Sequence, residues 1–113
     1  MISELYPYLL ENVFYPFLRR DAELLREFAA FSGELDVVDD QLVFTIPALF
    51  DFTRSHYEKH AGREIASDRA GYLRFRKALY TNPTNQMLAQ RDAHVELVSV
   101  ASNHDQSVYR LVG

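Results

Sequence analysis

The sequence predicts an α+β domain: N-terminal helices and a β-hairpin, followed by a helix–helix–helix–hairpin unit. Three observations carry this reading. Apolar residues recur at three- and four-residue spacing over stretches bounded by proline or glycine, as amphipathic helices require. Two stretches, 34–46 and 94–112, change to alternating or β-branched patterns around polar turn residues. No linker, repeat or low-complexity tract interrupts the 113 residues, so 1–113 reads as a single domain.

In chain order, Pro7 and Pro16 sit where a first helical turn tolerates proline, which lacks only an N–H that is unpaired there. This places a short helix near 4–14 and a longer one near 16–32. In the second, Phe17, Leu24, Phe28 and Phe31 form a stripe widened by Leu18, Leu25 and Ala29. Gly33 follows as a left-handed stop. Residues 34–46 read as a hairpin. A two-residue turn at Asp39-Asp40 would set Val37 opposite Leu42 and Leu35 opposite Phe44, putting Leu35, Val37, Leu42, Phe44 and Ile46 on one face and Asp36, Gln41 and Thr45 on the other. A longer loop is the alternative, since Asp-Asp suits such a turn less well than Asn-Gly.

Pro47 opens a third helix running to about His60 and stopped by Gly62, with Leu49, Phe50, Thr53 and Tyr57 as its inner stripe. After a short extended piece at 63–66, Ser67 or Asp68 caps a helix near 68–80 whose inner side is Tyr72, Phe75, Ala78 and Leu79. Asn82-Pro83 breaks it and restarts a fifth helix over about 83–91, with Asn82 as cap. A second hairpin, 94–101 and 106–112, closes the pattern around Ser102-Asn103-His104-Asp105. Both faces of this last hairpin carry apolar residues.

Composition excludes several functions. Eight Phe and seven Tyr give core material beyond that of a disordered chain. The absence of cysteine excludes disulfides, thiolate metal sites and a Cys nucleophile. Neither a signal peptide nor a membrane span is visible, so a cytoplasmic location and no membrane partner are expected. The net charge of −4 conceals a polarity. Residues 1–53 carry ten acids against three arginines, whereas 54–113 carry nine bases against six acids.

From Pro47 onward the order of helix, extended piece, helix, tight break, short helix, strand, loop and strand resembles the winged helix-turn-helix superfamily. The resemblance covers residues 47–113 and rests on element order, the Thr81-Asn82-Pro83 break and the final hairpin. Residues 1–46 are then an N-terminal extension of helices and hairpin. The resemblance implies that helix 83–91 lies in the major groove of duplex DNA and that the last hairpin is the wing. Asn85, Gln86, Gln90 and Arg91 would then read base edges. Thr84 would meet a phosphate at the helix N-terminus, with Arg69, Arg76 and Lys77 on the backbone and Asn103 and His104 at the wing tip. The helix carries one cation, however, and Asp92 and Asp105 flank helix and wing.

The chemistry expected is binding rather than catalysis. His56 and His60 have the i, i+4 spacing of a metal-holding pair, but Gly62 ends the helix before Glu64 joins them, and the first His is followed by Tyr57 rather than Glu. No metal or cofactor is therefore expected. Ser55-His56 is only sequence adjacency, Ser102, His104 and Asp105 are ordinary turn residues, and no glycine-rich phosphate cradle exists. The first expectation is a non-catalytic, transcription-regulating DNA-binding module. The alternative is a protein-interaction adaptor or complex subunit, joined to a partner or a second copy through the aromatic segment Tyr6, Tyr8, Phe14, Tyr15 and Phe17 or through the acidic hairpin.

Overall fold

The computed structural model describes residues 5–31, 33–62, 69–99 and 106–113. Among these residues it has the expected α+β class: short to medium helices packed with a four-stranded antiparallel sheet. The elements are α1 (Leu5–Leu9), a π-helical segment (Leu10–Phe14), α2 (Tyr15–Leu18), α3 (Ala22–Ala30), β1 (Leu35–Val38), β2 (Gln41–Thr45), α4 (Ile46–Ala61), α5 (Arg69–Thr81), α6 (Thr84–Ala89), β3 (His94–Ser99) and β4 (Val108–Val112). No helix among the described residues is long and apolar enough to cross a membrane.

The N-terminal helices differ from the expected 4–14 and 16–32. α1, the π segment and α2 form one continuous helical run, so Pro16 starts nothing new. Pro16 cannot donate to Asn12, and its ring would press on that carbonyl in a regular α-helix. The turn before it is widened instead, with the Tyr15 N–H bonding to Leu10 O five residues back. The true break comes at Arg19–Asp21. Arg20 takes φ 57° there, and Asp21 caps α3 by accepting from the Leu24 N–H at 3.0 Å. Gly33 is not the left-handed stop; α3 ends at Ala30 and Phe31 is already extended.

The aromatic segment is core rather than surface. Tyr6, Phe14, Tyr15 and Phe17 are all buried and only Tyr8 is half-exposed, because the run packs into the centre with Leu5, Leu9, Leu10 and Val13. The docking surface expected at these aromatics is therefore corrected.

The first hairpin forms in the expected register, Val37 opposite Leu42 and Leu35 opposite Phe44. Asp39 and Asp40 both adopt positive φ, 52° and 63°, the condition for the tight turn whose twist matches the strands. Thr45 departs from the expected outer face: it is buried because its hydroxyl caps α4 at the Ala48 N–H. α4 ends at Gly62 in the left-handed region, φ 71°. The caps expected at Ser67 or Asp68, the extended piece at 63–66 and the turn 102–105 lie outside the described residues. α6 is shorter than the expected 83–91, and Asn82 does not cap it. The Asn82 side chain turns back to the Ala78 carbonyl at 2.8 Å and closes α5 instead.

The two hairpins join into one sheet of order β1-β2-β4-β3. β2 pairs with β4 from Leu42 opposite Leu111 to Thr45 opposite Val108. β3 pairs with β4 from His94 opposite Val112, with an irregularity between Leu97 and Ser99.

Replacing Asp39-Asp40 by Asn-Gly removes the steric cost of a left-handed Asp at position 40 and is expected to stabilise the domain by about 1 kcal/mol. Denaturant titration of the double variant checks this; an unchanged or lower midpoint would contradict the turn geometry.

Candidate functional site

A hollow of about 390 Å³ lies between β3, β4 and the α5–α6 break. Its apolar part comes from Phe14, Phe44, Ile46, Leu79, Val95 and Leu97. The break shapes it. Pro83 has no N–H to give Leu79 O, four residues before it, and the Thr84 hydroxyl donates there instead; Thr81 Oγ1 and Asn82 Nδ2 add side-chain bonds to Lys77 O and Ala78 O at 2.8 Å each. Thr84 then turns inward, its hydroxyl 2.6 Å from the Tyr6 hydroxyl and 3.2 Å from Leu79 O.

The polar side of the hollow is set by a pair of tyrosines. The Tyr80 and Tyr109 hydroxyls lie 2.6 Å apart, and the Tyr109 ring stacks on Phe44 at 6.0 Å between centroids. Burial, and then the hydrogen bond with Tyr80, push the Tyr109 hydroxyl up to about 12. On β3, Glu96 is bridged to Arg110 across the ladder and lies 3.4 Å from His94 Nε2. The Arg110 hydrogen bond is the main cause that holds the Glu96 carboxyl below its usual range. Tyr80 and Leu97 stand on the rim, 52% and 49% exposed, and Val98 beside them is 50% exposed.

The residues expected to read DNA meet different fates. Thr84 is buried and bonded to Tyr6. Asn85 uses its amide on the protein: its Oδ1 accepts from the Val95 N–H at 2.7 Å and its Nδ2 donates to Val95 O at 3.1 Å. That paired donor and acceptor is what an adenine edge would have needed. Arg91 lies in the turn after α6 with its guanidinium 3.6 Å above the Tyr15 ring. Gln86 and Gln90 are exposed, with Gln86 at the hollow. Arg69 and Lys77 are exposed on α5, and Arg76 lies over Tyr72 at 5.7 Å. Asn103 and His104 lie outside the described residues. The fold thus gathers Thr84, Asn85 and Gln86 at the hollow and leaves Arg91 elsewhere.

Tyr80, Leu97 and Tyr109 were not among the expected site residues. The signal for Leu97 and Tyr109 was the surplus of apolar residues on both faces of the last hairpin; Tyr80, on α5, had none.

A separate cluster joins α3 to α4. His56 and His60 meet Glu27 of α3; Glu64 lies outside the described residues. His56 Nε2 is 3.2 Å from Glu27 Oε2, and His60 Nε2 and Lys59 Nζ are each 3.0 Å from Oε1. Burial, reinforced by His60 and Lys59 and opposed by Glu27, holds the His56 imidazole below the usual histidine range. Burial would raise Glu27, but hydrogen bonds from His60 and Lys59 and the charges of His56 and Lys59 outweigh it and leave the carboxyl below its usual range.

Two outcomes follow for the hollow. Spectrophotometric titration should find a tyrosine ionising near 12 that moves toward 10 in Tyr80→Phe. Because the folded hydroxyl holds its proton to higher pH than the unfolded one, its contribution to stability is complete below pH about 10 and is lost as pH rises through 12. Asn85→Ala should cost about 1 kcal/mol by freeing both Val95 backbone groups, read as a lower urea midpoint. Comparison with protein-family models, curated proteins and solved structures gives no match to this chain.

Proposed function

We propose that the chain is a non-catalytic protein-interaction module that takes an acidic segment of a partner protein, anchored by an apolar side chain in the hollow beside β3. The observation that carries this reading is the hollow itself: an apolar floor with Tyr80 and Leu97 exposed on its rim. Large apolar side chains left in water beside a concave apolar surface mark a place where a partner excludes that water. The charge of the partner follows from α5, which lines the rim through Leu79 and Tyr80. Arg69, Arg74, Arg76 and Lys77 give it four bases, and it contains no acid. A complementary acidic segment is drawn to that helix and held in register by it.

DNA competes for the same basic helix. The protein reading is favoured over it because three of the side chains that would contact DNA at the short helix and its end, Thr84, Asn85 and Arg91, already bond or stack within the fold. What remains is a surface with apolar character at its centre and positive charge at its side, which suits a peptide better than base edges.

Fluorescence anisotropy separates the two. One probe is a labelled peptide of aspartates with a central phenylalanine; the other is a mixed-sequence duplex. Micromolar peptide binding is expected, weakened roughly tenfold by Leu97→Asp or Tyr80→Ala and severalfold by Lys77→Glu. Saturable, salt-sensitive duplex binding with no peptide binding would overturn the proposal and restore the DNA reading.

A further inference from the structure

We infer that Glu27, His56 and His60 form a binding site for one first-row divalent transition-metal ion, with zinc as the reference ion and one coordination position left open. The expectation of no metal rested on Tyr57 standing where a metalloprotease-like pattern has Glu and on Gly62 ending the helix before Glu64. The fold supplies a different carboxylate, from another helix, at the right place.

The geometry carries the assignment. Three potential ligand atoms, one from each residue, lie within 4.8 Å of one another. The histidines are one turn apart on α4, and their rings stack at 4.1 Å with 28° between planes, so both Nε2 atoms face the same carboxylate. His56 Nε2 is 3.2 Å from Oε2 and His60 Nε2 is 3.0 Å from Oε1, each near the spacing of about 3.3 Å between ligands of a tetrahedral ion with bonds of about 2.0–2.1 Å. Binding would turn the carboxylate so that one oxygen serves both nitrogens, the ion replacing the shared protons.

The surroundings suit the same role. The Tyr8 hydroxyl lies 2.6 Å from His56 Nδ1. A hydroxyl both donates and accepts, so Tyr8 can accept the Nδ1 proton and leave the Nε2 lone pair for the ion; outer partners of this kind fix the ring of a metal-bound histidine. α3 is held on α4 by Phe28 and Phe31 against Phe52, at 4.7 and 5.4 Å, so the carboxylate and the imidazoles are placed by core packing rather than by a loop. A cavity of about 220 Å³ lined by Phe31, Phe52 and Ser55 opens beside Glu27 and His56, giving room for water or a small anion at the fourth position. Two nitrogen donors select zinc, cobalt, nickel or copper over magnesium and calcium, which take oxygen. Lys59 is the resident competitor: its ammonium sits on Glu27, but it is 66% exposed and free to swing into water.

The test uses the untagged chain, stripped with chelator and titrated calorimetrically with zinc, together with the visible absorption of its cobalt form. One ion per chain at micromolar or tighter affinity is expected, with the intense d–d bands of a tetrahedral site. Glu27→Gln and His60→Ala should each weaken uptake by at least roughly tenfold; Tyr8→Phe, which removes no ligand, should weaken it by about tenfold. Lys59→Ala should tighten it. Because His60 is on the surface, its variant should keep the native circular dichroism, and His60→Gln serves as a second replacement. No saturable uptake, or uptake unchanged in Glu27→Gln and His60→Ala, would overturn the assignment.

Discussion

Burial of the helical run from Leu5 to Leu18 is the constraint on which the other elements depend. Leu5, Leu9, Val13, Phe14 and Phe17 are essentially inaccessible, and only Pro7 and Glu11 of the run are exposed. A helix apolar around most of its circumference belongs at the centre of a domain. Its neighbours must therefore surround it: α4 and α5 lie against α1, and the Phe14 ring reaches Phe44 of β2. Its polar atoms are distributed to the same neighbours. Tyr6 reaches Thr84, Tyr8 reaches His56, and Tyr15 receives Arg91. Each tie satisfies a hydroxyl or ring at the margin of the core and fixes a residue that would otherwise be free on the surface.

What could be read from the sequence was local. The register of the first hairpin follows from alternation alone, since a shift of one residue would have turned Leu42 and Phe44 to water. Gly62 was recognisable as a stop because nothing else in that stretch tolerates a left-handed backbone. The failures came where a distant contact outweighs a local preference. Pro16 looked like a helix start, yet the burial of Tyr15 and Phe17 together with Val13 and Phe14 makes continuity worth a widened turn. The aromatic segment looked like a surface because nothing in one stretch of chain reveals how many neighbours will cover it.

The candidate sites follow the same division. His56 and His60 were legible as a pair, because one helix sets their spacing. Glu27 was not, because its place beside them depends on how α3 docks through Phe28 and Phe31. At the hollow, the amide-rich stretch after Pro83 was read as a set of base-reading side chains. The use of Asn85 on Val95 could not be anticipated without knowing that β3 lies alongside α6. Glutamines and an asparagine look alike in sequence whether they face solvent, a base or a neighbouring strand.

The order of the sheet also bears on how the chain is made. β4 lies between β2 and β3, so of the four described strands the one synthesised after the others joins the two halves. Until residues 108–112 emerge, the β1–β2 hairpin has an open edge beside Leu42 and Phe44, and β3 has no strand partner at all. A nascent chain in that state offers strand edges to any neighbour on the same message. The central helical run, complete long before, is the element able to shelter Leu42 and Phe44 during the wait.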